Sequence, residues 1–504
     1  LRVSKSSQSQ ALMIQGTGSD VGKSLLVAGL CRAFAKRGLC VRPFKPQNMS
    51  NNAAVTIDNG EIGRAQALQA LAAGVDLTVH LNPVLLKPQS ENGAQVVVQG
   101  KVEGTVQARD YHELKPKLLS RVLESYAITS QDTDLVLVEG AGSPAEVNLR
   151  AGDIANMGFA KVAGVPVVLL ADIERGGVLA NLVGTVALLE QSERELIKGY
   201  IVNKFRGDVS LFDEAYTIIA KHTGLNCFGV LPFFTAANRL PQEDSQSLVE
   251  RKNSDDKGGL KISVLRLSRI ANFDDLDPLA AEPDVEVCFI EPGTAVPGDT
   301  DMIIIPGSKS TLADLEQIRL QGWDVDIFAH RRRGGWVIGL CGGYQILGQN
   351  VSDPEGIEGK PSEAEGLGLL DIVTVIHGGK SLKETTGTEV GTGKAIKGYE
   401  MHIGKTSGPG MEKPWVRLDD GRNEGAVSND GRVRGTYMHG LFSSDSFRHS
   451  ILDRIRPGRD QGIAYESQVE ITLNALAEHT EKHLDLDELL SIAKPIMQDN
   501  HSKG

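Results

Sequence analysis

Gly16-Thr17-Gly18-Ser19-Asp20-Val21-Gly22-Lys23-Ser24 stands between an apolar run, residues 11–15, and a helical pattern, residues 25–36. Strand, glycine-rich turn and helix in that order are the context of a phosphate-binding loop. The glycines expose backbone N–H groups to an anion, Lys23 reaches phosphate oxygens, and the Ser24 hydroxyl can ligate magnesium. One position departs from G-x-x-x-x-G-K-[ST]: the first glycine falls on Thr17, with Gly16 and Gly18 on either side. Thr17, Gly18, Asp20, Gly22, Lys23 and Ser24 are the expected nucleotide contacts.

Around this loop, short β-rich runs alternate with helical patterns up to about residue 240, as at 134–139, 165–171 and 199–203. Alternation of this kind predicts a mostly parallel sheet with helices on both faces, and ligands at the carboxyl ends of its strands. At one such end stands Glu139, the best carboxylate for a nucleotide-bound magnesium ion, with Glu61 as a weaker metal candidate. At another, Asn203 and Lys204 are suited to a purine edge. Residues 241–259 are polar, charged and without apolar periodicity, and read as a linker. A second α/β pattern follows, with strands expected at 261–267, Val285–Ile290, Met302–Ile305 and Trp336–Leu340 and a β-rich stretch at 366–442. The expected organisation is a disordered leader (1–10), an ATP-binding domain (11–240), the linker, a second α/β domain (260–460) and a C-terminal helical extension (461–504).

In the second domain, Trp336-Val337-Ile338-Gly339-Leu340-Cys341-Gly342-Gly343-Tyr344-Gln345 reads as strand, sharp turn and helix, with Cys341 in a G-x-C-x-G elbow. Small neighbours permit the strained turn that exposes a nucleophile, and a helix N-terminus favours the thiolate. The base is expected to be His439, in G-T-Y-M-H-G-L-F, and the oxyanion donors Gly307, in P-G-S-K-S, and Gly342. Cys31, Cys40, Cys227 and Cys288 lack flanking glycines of this kind and read as inert.

Composition narrows the remaining classes. A formal net charge of −12 disfavours a broad grip on nucleic acid, and no apolar run is long enough to cross a bilayer. Five cysteines without C-x-x-C spacing argue against a disulfide framework or a zinc site and fit a reducing cytoplasm.

A phosphate loop joined to a cysteine elbow resembles the glutamine amidotransferase ligases of the corrin pathway, and the loop itself resembles the dethiobiotin synthetase branch of the P-loop fold. Within the corrin group the similarity is greatest to the cobyric acid synthase family. It is carried by F-K-P-Q-N-M-S-N-N (44–52), E-I-G-R-A-Q (61–66), L-N-P-V-L-L-K-P (81–88), V-E-G-A-G-S-P (138–144), A-D-I-E-R-G-G (171–177), N-K-F-R-G-D (203–208), R-I-A-N-F-D-D-L-D-P-L (269–279), the elbow, G-Y-E-M-H-I-G (398–404) and G-T-Y-M-H-G-L-F (435–442). The resemblance implies a P-loop domain followed by a class I glutaminase-like domain. It implies ATP, Mg2+, glutamine and a corrin, with the b, d, e and g carboxylates of adenosylcobyrinic acid a,c-diamide becoming amides. Lys45, Gln47, Asn48, Ser50, Asn51 and Asn52 are then expected to hold the substrate carboxylate beside the γ-phosphate. Simple class I glutaminases carry a glutamate two residues after the histidine; here Leu441 stands there. His439 therefore either acts in a dyad with Cys341 or borrows a distant partner, Glu400 and His402 being the first to consider. Rival readings are the a,c-diamide synthase reaction, and a regulatory ATPase whose second domain is a binding module.

Overall fold

The computed structural model describes residues 8–88, 93–107, 110–150, 152–241, 243, 259–459 and 462–496. Most of the expected leader (1–10) and linker (241–259) lies outside the described residues. The chain divides into two compact units, Leu1–Ser50 with Thr56–Pro241 and Val469–Gly504, and Asn51–Val55 with Gln242–Gln468.

The first unit is built on β1 (Gln10–Gly16), α1 (Lys23–Lys36), β2 (Val41–Phe44), β3 (Leu135–Glu139), β4 (Val167–Asp172), β5 (Ile197–Phe205) and β6 (Asn226–Pro232). These strands pair in the order β6-β5-β4-β1-β3-β2, every pair parallel. Alternate residues explain why the strands are continuously apolar. Ala11, Met13, Val136, Val138, Val167 and Leu169 enter one core cluster. The intervening Leu12, Ile14, Leu135, Leu137, Val168 and Leu170 are buried as well. A parallel sheet covered on both faces needs this pattern, and each fully buried Val, Leu or Ile contributes about 1.5–3 kcal/mol. In the ladder Ile14 stands opposite Glu139 and Asp172 opposite Asn203, so the carboxyl ends of the strands come out on one edge.

Residues 8–10 of the expected leader are held in place. Ser9 Oγ donates to the Ser130 carbonyl (2.6 Å), and Gln10 begins β1. The expected C-terminal extension contains helices Tyr465–His483 and Leu486–Ile492, and from Val469 onward it belongs to the first unit. Leu473, Leu476 and Ala477 are buried, Arg32 of α1 pairs with Glu470 (2.9 Å), and Lys494–Pro495 adds an antiparallel bridge to β1. A further sheet joins Gln47–Met49, Val84–Pro88, Gly93–Val98 and Lys101–Gln107, strands too short and too polar in part for apolar alternation to mark them.

The second unit repeats the parallel plan with β7 (Leu260–Leu265), β8 (Val285–Ile290), β9 (Met302–Ile305), β10 (Trp336–Leu340), α2 (Gly342–Ile346), β11 (Ala426–Val427) and β12 (Val433–Thr436). Its order is β8-β7-β9-β10-β12-β11, antiparallel only at the last pair. The β-rich stretch contributes an antiparallel sheet in which Ala395–His402 pairs with Ser381–Glu389 and with Met438–His439.

One close approach within the first unit is directly testable. A Cβ on Gly29 of α1 would lie 2.5 Å from Thr480 Oγ1 and 3.2 Å from Leu476 Cγ. Gly29→Val is expected to force these helices apart and destabilise the unit by about 1–3 kcal/mol, read as an earlier first transition in urea unfolding.

Candidate active site

In the first unit the phosphate loop has the backbone its sequence requires. Gly22 lies at φ 94° and caps α1 without a side-chain hydrogen bond. The helix's first N–H groups therefore receive no side-chain cap, as an anion site requires. A Cβ on Gly16 would sit 2.7 Å from Val21 Cγ2 and 2.8 Å from Lys23 Nζ. Gly16 thus takes the place of the glycine missing at Thr17, whose own N–H donates to the Leu170 carbonyl (2.9 Å). Lys23 Nζ donates to the carbonyls of Gly18 and Gly142, each at 3.1 Å. Those oxygens occupy the ammonium donors that phosphate oxygens would take.

Glu139 is the charge centre of this edge. Its Oε1 accepts from Ser24 Oγ (2.8 Å) and Lys45 Nζ (2.7 Å), and its Oε2 from Gln69 Nε2 (2.6 Å). Burial is the strongest influence and opposes its charge. The Lys45 ammonium and the three hydrogen bonds outweigh it and hold the carboxyl below its ordinary pKa. Glu61, the weaker metal candidate, instead forms a buried ion pair with Lys87.

Asn203 and Lys204, expected on a purine edge, turn onto the loop. Asn203 Nδ2 donates to the Val21 carbonyl (2.8 Å), and Lys204 Nζ to the Asp20 carbonyl (2.7 Å) and Asp172 Oδ2 (2.9 Å). Asp20 has φ 56° and lies 3.8 Å from Arg175. Of the expected substrate residues, Lys45 meets Glu139, Gln47 accepts from Tyr111 Oη (2.6 Å), Asn48 donates to Gln66 (3.0 Å), and the Ser50 N–H donates to the Leu86 carbonyl (3.0 Å). Asn51 and Asn52 belong to the second unit.

In the second unit Cys341 sits between β10 and α2 at φ 52°, ψ −107°, a strained conformation for a side-chain-bearing residue. Its neighbours explain how the turn fits. A Cβ on Gly339 would lie 2.5 Å from the Gly343 carbonyl oxygen, and one on Gly343 would lie 2.0 Å from that of Ile305. The Cys341 N–H donates to the Thr436 carbonyl (2.8 Å), and Sγ stands 3.5 Å from the Met401 carbonyl. Gly307 flanks both reactive groups: a Cβ there would be 3.2 Å from His439 Cε1 and 3.7 Å from Cys341 Cβ. Gly342 lies beside Ser308, whose N would be 3.4 Å from its Cβ.

His439 is buried, stacked on Tyr399 at 5.3 Å and 19°. Neither Glu400 nor His402 holds it, which corrects the sequence expectation. Glu400 is engaged by Arg422 (2.6 Å), and His402 stacks on Tyr437 with centroids 3.8 Å apart. The group at His439 Nδ1 is Asp275 Oδ2, at 2.7 Å. Asp275 stands in the quoted run at 269–279, yet no spacing rule links it to a histidine so far along the chain. Burial pulls the His439 pKa down most strongly. The Asp275 charge, the hydrogen bond that the ring donates to Asp275 and contact with the Cys341 sulfur outweigh it and raise the value to about 10.

A thiol elbow, a buried histidine and a separate phosphate cradle define a glutamine amidotransferase ligase with a P-loop nucleotide-binding domain. Residues 12–248 match the CobQ/CobB/MinD/ParA nucleotide binding domain, and residues 261–447 the CobB/CobQ-like glutamine amidotransferase domain. The cobyric acid synthase of Cereibacter sphaeroides is 56% identical over 484 residues, covering 96% of this chain and 100% of that protein. That of Methylorubrum populi is 57% identical over 97% and 100%, and that of Bradyrhizobium diazoefficiens 57% over 96% and 100%. The chain belongs to the cobyric acid synthase family.

The cysteines give a chemical test of the elbow. Burial pushes the Cys31 thiol far up and those of Cys227 and Cys288 up to about 11. Limited iodoacetamide treatment of the native protein is expected to alkylate Cys341 ahead of these three. Peptide mass spectrometry reads the order.

Proposed function

We propose that the chain catalyses the ATP- and glutamine-dependent amidation of the b, d, e and g carboxylates of adenosylcobyrinic acid a,c-diamide, giving adenosylcobyric acid in the cytoplasm. The observation that carries this reading is the joint presence of the Gly16–Ser24 phosphate cradle and the Cys341–His439 elbow, in a chain matching cobyric acid synthases along their whole length.

At the elbow the Cys341 thiolate attacks the side-chain amide carbon of glutamine. Backbone N–H groups of Gly307 and Gly342 are the proposed donors to the resulting oxyanion. His439 gives its proton to the departing ammonia, leaving a glutamyl thioester that water cleaves to glutamate. At the cradle, a corrin carboxylate attacks the γ-phosphorus of ATP and ADP leaves. Ammonia displaces phosphate from the acyl phosphate to form the amide. Lys23 and the loop N–H groups hold the phosphates, Asn203 and Lys204 brace the loop, and Lys45 with Gln47, Asn48 and Ser50 positions the carboxylate.

Magnesium fits this edge. Ser24 Oγ and Glu139 Oε1 are oxygen donors 2.8 Å apart. No group of three or more His, Cys, Asp or Glu among the described residues forms a metal cage. So sparse a protein donor set suits an ion that keeps several waters and binds phosphate oxygens. Such an ion would supply neutralisation of phosphate charge.

Two variants test the separate roles. Lys23→Ala is expected to lower ATP-dependent amide formation by about 100-fold or more while leaving basal glutamine hydrolysis measurable. Unchanged amidation would refute the cradle assignment. Cys341→Ala should lose glutamine-driven amidation yet retain amidation with ammonium salts at alkaline pH. Mass spectrometry of the corrin product, one mass step per amide, reports both and counts the carboxylates converted.

A further inference from the structure

The place two residues beyond His439 is occupied by Leu441, which is fully buried in an apolar cluster with Phe442, Leu276 and Leu279. A carboxylate there would be charged inside a hydrophobic core, a position proteins avoid unless the charge is paired. The imidazole meets its partner from another direction. Asp275 lies on the short helical turn Phe273–Leu276 and is buried like His439, each side chain being 1% exposed. Both of its oxygens are used: Oδ2 faces His439 Nδ1 at 2.7 Å, and Oδ1 accepts the N–H of Gly440, the residue next to the histidine. The carboxylate therefore grips the ring and the backbone that carries it.

Asn272, at the N-cap of the same turn, addresses the other ring nitrogen. Its Nδ2 lies 3.4 Å from His439 Nε2, while its Oδ1 accepts the Ala53 N–H at 3.4 Å. With its oxygen taken as an acceptor, the amide presents N–H to Nε2; in the neutral form of the ring, Nε2 then offers its lone pair and Nδ1 carries the proton toward Asp275. A thiol proton on Cys341 can pass only to a nitrogen with a free lone pair, and Nε2 is that nitrogen.

We propose that Asp275 is the positioning residue of the thiol site, fixing the His439 tautomer and ring orientation and sustaining the imidazolium that protonates departing ammonia. It takes over, from another chain segment, the task that a glutamate two residues past the histidine performs in simple class I glutaminases. The inference rests on the glutaminase reading of Cys341 and His439.

The sign of the pH effect follows from the charges. Burial lowers the His439 pKa and Asp275 raises it, to a value of about 10. The protonated ring thus persists to alkaline pH, and activity falls as pH rises through that value. Removing the carboxylate's charge leaves burial dominant and moves this alkaline limb to lower pH.

Asp275→Asn in the full chain, assayed for glutamine hydrolysis, is the test. The expected result is a kcat lower by about 10- to 100-fold, less than for a serine nucleophile because a thiol needs less activation. The KM for glutamine should stay within about twofold, the alkaline limb should shift downward, and ammonium-driven amidation should be retained. Asp275→Glu, which keeps the charge, should restore the limb toward its original position. An unchanged kcat, a loss carried by KM alone, or an unmoved limb overturns the inference. If the asparagine variant does not fold, the glutamate variant decides, and a limb displaced downward there also overturns it. A wild-type protein that hydrolyses no glutamine would instead refute the glutaminase reading itself.

Discussion

The peptide at Cys341 is bent to φ 52°, ψ −107°, a conformation that costs about 1–3 kcal/mol and persists only where its surroundings over-determine it. Here the surroundings are the parallel ladder. Gly339 is registered against Gly435 and Leu340 against Thr436, and the Cys341 N–H then bonds to the Thr436 carbonyl. That register stops β10 and β12 at the same edge. The chain leaving β12 reaches Met438–His439 within three residues, so the strained cysteine and the histidine meet because their strands are neighbours. The two flanking glycines complete the arrangement by letting α2 close against the Ile305 carbonyl.

Each unit then buries a charged group and satisfies it with a specific partner. Glu139 has Lys45, Ser24 and Gln69; His439 has Asp275. In a low-dielectric interior, removing one member of such a pair costs about 3–5 kcal/mol, because the other is left charged and unpaired. The charged form of each is thereby maintained. Glu139 stays a carboxylate beside the phosphate loop, and His439 stays able to hold a proton beside the sulfur.

Much of this could be read from local pattern. The phosphate loop, the cysteine elbow and the strands Val285–Ile290, Met302–Ile305 and Trp336–Leu340 coincide with the sequence reading, since apolar runs and glycines at fixed spacing are set by the backbone of a few adjacent residues. The amide and ammonium of Asn203 and Lys204 were harder. A strand-end polar residue can face a ligand or a neighbouring loop, and only the placement of Val21 and Asp20 beside β5 shows that these two brace the loop. Glu61, a metal candidate from the sequence, pairs with Lys87 of another strand, a contact that no local pattern announces.

The amino-acid sequence by itself determined which residue types stand at the ends of its strands: a glycine-rich run closing on Lys23 and Ser24 after the first, and a thiol set among glycines at Cys341. It also determined that no carboxylate follows His439 at the usual place. Tertiary structure alone decided which groups meet. Ser24 and Glu139 are 115 residues apart in the chain, and Asp275 and His439 are 164 apart. Periodicity and motif spacing act over a turn or a strand, whereas these contacts are made by the order in which strands pair and by which side of each strand faces the core. Leu441 points into that core, and the carboxylate that serves the histidine therefore comes from a turn whose own sequence carries no sign of the task.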